Sequence, residues 1–341
     1  MTHTRSHAEQ DYIALWFDVR KELGIQDDMR VGPLDTRTGD VRWYSFPHSR
    51  MDGLGGLATI LREHGYPCRT LPKASEKRPP GTLQLLRLML RAPRQSAPRR
   101  IRWRHTYPDY AAHNPAHTND APIVHGYFSA AETAQIKALA KRHKVALNVY
   151  LFWALNRAVA DHLLEAAQQY YWFYPINLRG ALDFGDDTRN YSSGVNILLD
   201  NETAPRDIQQ RIKDQIQART YWVLWRQAHI GKWIGRRGVR WLYRYISERH
   251  FYAGSFSFLG NWPLKDADNP AINPNEVWVS CGIGTKNYPI STGILLWNDQ
   301  LSLGLKLHPY ICQDPAVAER CLADWRRYLL QGDTPAVAQK D

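Results

Sequence analysis

Tyr44-Ser45-Phe46-Pro47-His48-Ser49-Arg50-Met51-Asp52-Gly53 is the stretch on which the fold turns. Residues 40–47 are β-prone and end on Pro47, so they predict a strand that delivers His48 at its tip. Gly53 and Gly55 predict a tight turn, and residues 54–64 have the composition of a helix that Gly65 and Pro67 close. A histidine at a strand end is held in one orientation by the sheet. Its neutral ring can take a proton from an attacking hydroxyl or amine. Asp52 has two readings at this point. It either orients His48 as the acid of a triad, or it pairs with an arginine elsewhere and fixes the turn.

Upstream, residues 9–24 predict a helix, with Tyr12, Trp16, Val19 and Leu23 at helical spacing. Downstream, residues 72–81 form a proline-rich charged loop. Residues 83–92 predict a short amphipathic helix, and 93–122 a long basic crossover without sustained period. A strand over 123–128 leads to Ser129 and Glu132, spaced as a capping box. Two helices follow, roughly 130–143 and 147–166. Strands are expected at 170–178, 193–199, 254–259, 276–283, 290–297 and 301–307. One helix should run from about 205 past 220, and an amphipathic helix covers 314–330. The mixture predicts an α/β (α+β) protein of two lobes. Its expected parts are an N-terminal lobe over 1–122, a C-terminal lobe over 123–332, and a tail over 333–341.

The 341 residues carry 44 Lys and Arg against 33 Asp and Glu, a net charge of +11. Such a surplus favours anionic partners. Cys68, Cys281, Cys312 and Cys321 form no C-x-x-C pair and read as reduced thiols. Cys281 lacks the companions of a cysteine nucleophile. His105, His113, His117 and His125 fit no zinc spacing, so no metal site is expected. Phosphate-cradling glycine loops are absent. No apolar run is long enough to span a bilayer, and the polar N-terminus lacks a signal-peptide core. The expected location is cytoplasmic, peripheral at the inner membrane face.

Several segments, in order, resemble the chloramphenicol acetyltransferase-like superfamily of CoA- and carrier-dependent acyltransferases. This superfamily includes condensation domains, plant BAHD acyltransferases and wax-ester synthases. His48 to Gly53 is similar to its HHxxxDG motif. Residues 128–159 resemble its strand, helix, turn and second helix. Residues 174–180 look like its Pro-Val-Asp-x-Arg strand, 192–199 like its Gly-x-x-x-N strand, and 255–263 like its Ser-Asn-x-Gly strand. Residues 290–330 resemble its closing hairpin and helix. The resemblance implies a two-lobed fold with mixed sheets and a tunnel between the lobes. It implies that His48 is the general base, and that Asp52 pairs with Arg179 as a structural element beside Gly53. It further implies transfer of an acyl group from acyl-CoA or a phosphopantetheinyl acyl carrier protein to a hydroxyl or amine, with no permanently bound cofactor. Oxyanion or substrate contacts are expected from Ser257, Asn261, Ser291, Thr292, Asn196 and amides near Gly53.

The sequence also departs from the family. Pro47 replaces the first histidine, and Phe258 replaces the asparagine of the Ser-Asn-x-Gly strand, with Asn261 three residues on. Only 47 residues precede His48, so the N-terminal lobe is expected to be shortened, which leaves either a more open site or one that an oligomeric partner completes. These departures leave an alternative: a non-catalytic relative that binds a carrier protein, a lipid or a membrane surface.

Residues 219–252 interleave Trp222, Trp225, Trp233 and Trp241 with Arg226, Lys232, Arg236, Arg237, Arg240 and Arg244. Two readings stand level: an interfacial helix on an anionic membrane, or a helix with a buried tryptophan face and solvated arginines. Nucleic acid is not the expected partner.

Overall fold

The computed structural model describes residues 12–25, 27–66, 68, 71–74, 76, 78–91, 100–110, 121–262 and 273–332. Most of the basic crossover and the 333–341 tail lie outside them.

Two sheets organise the chain. A three-stranded sheet has the order β2-β1-β8, from β1 (Asp28–Asp35), β2 (Tyr44–Pro47) and β8 (Glu276–Cys281). The larger, seven-stranded sheet has the order β3-β10-β9-β6-β4-β5, with β7 also pairing β9. Its strands are β3 (Ile123–Tyr127), β4 (Gln169–Asn177), β5 (Ser192–Asp200), β6 (Gly254–Ser255), β7 (Phe258–Trp262), β9 (Ile290–Trp297) and β10 (Gln300–Leu307). The hairpins β4–β5 and β9–β10 are antiparallel, whereas β4, β6 and β9 run parallel. The protein is therefore a mixed α/β fold.

Strand β9 links two apolar cores. All eight of its residues are buried. Ile290, Ile294 and Leu296 belong to the larger core, and Leu295 and Trp297 to the smaller one. This alternation follows from the two-residue period of a strand. The larger core also takes α5 (Leu147–Leu163), where Tyr150 to Leu155 are all buried, and α9 (Pro315–Gln331) through Trp325 and Leu329. Ser129 and Glu132 form the expected capping box on α4 (Ala130–Arg142). The smaller core lies between β1, β8 and α2 (Gly53–Glu63), through Val31, Val277, Leu57 and Leu61. The sheets press together where β8 crosses β9 and β10. A Cβ at Gly304 would lie 2.1 Å from the Ser280 carbonyl oxygen, so only glycine fits there.

Several boundaries differ from those read in the sequence. Strand β1 has no counterpart there, because Gly32 and Pro33 interrupt its β pattern. Strand β8 comes from the C-terminal half but completes the first sheet, so it crosses the boundary expected at 122. The helix expected beyond 205 is broken at Arg219, which adopts φ 53 and ψ 33. It divides into α6 (Pro205–Gln217) and α7 (Thr220–Ala228), and α8 (Gly231–Arg249) follows. α8 itself bends at Gly235, whose φ of 62 and ψ of −177 suit glycine. The strand expected at 254–259 is split at residues 256–257 into β6 and β7, and β7 itself shifts register on β9 between Phe258 and Asn261. The remaining described helices are α1 (Tyr12–Glu22) and α3 (Thr82–Arg91).

Candidate active site

His48 stands just beyond β2, half-buried, at the mouth of the turn into α2. Its own amide donates to the Asp27 carbonyl at 2.8 Å, and the Ser49 amide donates to Asp27 Oδ2 at 3.2 Å. The Asn190 side-chain amide donates to the His48 carbonyl at 2.8 Å. Three hydrogen bonds, to Asp27 and from Asn190, thus fix the backbone beneath the imidazole.

The ring has its own constraint. Nδ1 lies 3.1 Å from the Met51 carbonyl oxygen. A carbonyl only accepts, and it lies closer than the Asn190 side-chain nitrogen at 3.5 Å, so the geometry favours the tautomer with the proton on Nδ1 and the lone pair on Nε2. Phe17 of α1 meets the imidazole edge-on, with centroids 5.2 Å apart and planes at 70°. Burial lowers the His48 pKa below the ordinary histidine value; the Met51 carbonyl and the charge of Asp52 act against that fall, and Arg20 adds to it. The resulting neutral imidazole with a free Nε2 can accept a proton.

Asp52 is occupied elsewhere. Its Oδ1 accepts from the Gly55 amide at 2.9 Å, capping α2, and from Arg179 Nη2 at 2.7 Å. Its Oδ2 accepts from Arg179 Nη1 at 2.8 Å and from the Tyr191 amide at 2.9 Å. Arg179 is buried too. Its remaining donors reach the Asp187 and Arg189 carbonyls and Asn177 Oδ1, at 2.7, 2.9 and 3.1 Å. The guanidinium lies 4.8 Å from the centroid of the Tyr191 ring. This two-pronged ion pair has partners for both charged groups, the condition for a buried charge pair to be tolerated. Both carboxylate oxygens are committed to the pair, the cap and Tyr191, so the triad reading of Asp52 has no geometric support.

Gly53, Gly55 and Gly56 let α2 approach its neighbours. A Cβ at Gly55 would lie 1.8 Å from the Thr188 carbonyl oxygen, and one at Gly56 would lie 2.1 Å from the Phe46 ring. The loop over 186–191 therefore closes directly onto the turn, where the Asn190 amide also donates to the Arg50 carbonyl.

The other expected contacts are dispersed. Thr292 Oγ1 accepts from the Ser257 amide at 3.1 Å and donates to the Ser255 carbonyl at 3.0 Å, tying β6 and β7 to β9. Ser291 is buried on the opposite face of β9, where its Oγ would lie 2.6 Å from a Cβ at Gly282. Ser257 is half-buried in the break between β6 and β7. Asn196 donates to the Tyr252 hydroxyl at 3.4 Å. Asn261 is exposed on β7. Phe258 packs against the larger core.

The sequence reading did not single out Phe17, Arg20, Asp27, Asn190 or Tyr191. Each meets the motif across a long loop, and no local pattern marks them. Arg20 acts electrostatically on His48, Tyr243 and Tyr288 alike. Tyr243 in turn lines a cavity of about 610 Å³ with Arg100, Arg244, Lys286, Asn287 and His308. The cavity has a basic wall, and no residue of the 48–53 motif lines it. Among the described residues no cluster of His, Cys, Asp and Glu has the makings of a metal site.

Neither a family model nor a curated protein matches the chain. Solved structures do. The TRI3 trichothecene 15-O-acetyltransferase from Fusarium sporotrichioides is 13% identical with a TM-score of 0.51, over 84% of this chain and 65% of that one. The EpoB NRPS cyclization-docking bidomain from Sorangium cellulosum is 12% identical with a TM-score of 0.50, over 85% of this chain and 60% of that one. The chain thus spans less than two thirds of either. It has the two-lobed chloramphenicol acetyltransferase-like fold, in a shorter form than these two neighbours.

Proposed function

We propose that the protein transfers an acyl group from a thioester to a hydroxyl or amine, with His48 as general base. The observation that carries this reading is the contact between His48 Nδ1 and the Met51 carbonyl at 3.1 Å. It leaves Nε2 unprotonated, as a base must be before the acceptor attacks. Nε2 takes the proton of the acceptor hydroxyl or amine as its oxygen or nitrogen bonds to the thioester carbonyl. A tetrahedral oxyanion forms, collapses and expels the thiolate, which takes the proton back from the imidazolium. The Asp52–Arg179 pair acts as a positioning element, because it fixes the turn that supplies the Met51 carbonyl.

The donor in this reading is acyl-CoA or an acyl group on a phosphopantetheinyl carrier protein. The basic residues around the cavity, Arg100, Arg244 and Lys286, suit the phosphates of either. The acceptor class is an alcohol or amine, including a lipidic one. A second reading, a binding module without turnover, is favoured by the Thr292 hydroxyl. Its hydrogen bonds to Ser257 and Ser255 leave it committed to the sheet rather than to an oxyanion.

The test is a screen of acyl-CoA and acyl-carrier thioesters against alcohols and amines, read by thiol release and acceptor acylation. The acyltransferase reading expects release that depends on the acceptor. Donor binding without acylation of any acceptor supports the binding module instead.

A further inference from the structure

We propose that α3, α7 and α8 form a docking surface for an anionic lipid bilayer, independently of whether the protein turns over. The surface has an apolar part that the core does not use. On α3, Leu85 is buried and Leu88 packs against the core, while Leu83, Leu86, Met89 and Leu90 face outward, Leu90 being 78% exposed. Leu83, Leu86 and Leu90 lie three and then four residues apart, so they form one continuous ridge. α3 packs on α7. α7 leads through exposed Ile230 into α8, where Trp233 is 73% exposed and Trp241 is 67% exposed.

The cations lie along α7 and α8. Arg237, Trp241, Tyr245 and Arg249 recur every fourth residue and make one outward row along α8. Trp241 and Tyr245 stack at 5.7 Å, and the Arg249 guanidinium lies 4.1 Å from the Tyr245 centroid. Glu22 of α1 neutralises Arg236 and Arg240. Arg226 and Arg237 are exposed and have no ion pair with any described residue. Large exposed tryptophans beside free arginines match the boundary between headgroups and acyl chains, where the ring enters the interface and the guanidinium meets lipid phosphate.

Charge and chemistry select this occupant. A second copy of the chain would bring two arginine rows together, which repel. A single-stranded nucleic acid would use the tryptophans for base stacking but leave the leucine ridge of α3 in water. A bilayer accommodates both. No described helix is long and apolar enough to cross a membrane, so the contact is lateral.

The experiment is co-sedimentation of the full chain with vesicles. One set is phosphatidylcholine alone, and the other carries roughly one third phosphatidylglycerol. The proposal expects binding to the anionic vesicles at least ~10-fold tighter than to neutral ones, weakened by salt. Arg226→Glu with Arg237→Glu should lower that partitioning by ~10-fold or more. Leu86→Gln with Leu90→Gln should lower it comparably with every cation in place, since apolar burial is the other half of interfacial binding. All four positions are exposed, and an unchanged thermal midpoint establishes that each variant is folded. Equal binding to both vesicle types overturns the proposal. So does undiminished binding by either folded double variant, or binding to single-stranded RNA with none to anionic vesicles.

Discussion

The Asp52–Arg179 pair leaves His48 without a carboxylate on Nδ1, which alters what each residue should do when changed. The imidazole is oriented by a backbone carbonyl, so its proton affinity is governed first by burial. The acid limb of the pH–rate profile should therefore lie below ~6.5, the ordinary histidine value. As pH falls, activity should persist past that value and disappear on passing the depressed pKa of the folded state. A limb at or above ~6.5 in kcat/KM contradicts this. Arg179→Met should cost about 3–5 kcal/mol in urea unfolding, because it strands a buried carboxylate. Pairing it with Asp52→Leu should cost less than the sum of the two single changes. Additive losses would mean that the two side chains do not act as a pair. His48 and Asp52 were legible as a short motif, and Arg179 through the order of the surrounding segments. Asp27, Asn190 and Phe17 were not, because a backbone carbonyl with its carboxylate, a loop side chain and a ring edge reached across the fold leave no local pattern.

Two helices bear on the candidate base, α1 through Phe17 and α2 through the turn that precedes it. α2 starts at the motif, and its early glycines permit close packing. Gly55→Ala would drive a Cβ into the Thr188 carbonyl, where backbone rather than a flexible side chain must give way. The expected result is a loss of about 1–3 kcal/mol and a lower kcat, since the shifted loop carries Asn190 and Tyr191. A variant as stable and active as the wild type would show that the 186–191 loop does not clamp the turn. α1 roofs the imidazole through Phe17 and is held to the basic helices by Trp16, whose Nε1 donates to the Ala228 carbonyl at 2.6 Å, and by Glu22. The helix was readable from its spacing, but its place over His48 was not. The strands over 276–307 were readable because long alternating or fully apolar runs leave little choice of element. The break at Arg219 was not, since a left-handed arginine follows no propensity. Strand β1 escaped notice because Pro33 and Gly32 weaken its local signal, although pairing on both sides makes it the centre of its sheet.

On the scale of the whole molecule, β8 and β9 make the lobes interdependent. The C-terminal half supplies one strand of the first sheet, and β9 contributes side chains to both cores. Unfolding should be cooperative across the lobes and sensitive to acid at their buried histidines. Burial, reinforced by Lys306 and Lys286, pushes the His308 pKa down to about 3. The unfolded chain takes up that proton near pH ~6.5, so stability falls as pH drops from ~6.5 towards ~3. His308 Nδ1 accepts from the Tyr310 amide at 3.1 Å. His308→Asn can keep an acceptor there while removing the titration. The variant should lose less stability than the wild type between pH ~6.5 and ~4, and identical pH slopes would remove His308 as a cause. The central claim concerns the base itself. Its most direct test is turnover of one acyl-thioester donor and one acceptor by wild type and His48→Ala, both with native thermal midpoints. The account predicts a loss of ~10²–10⁴ in kcat, and unchanged turnover in the variant would contradict it.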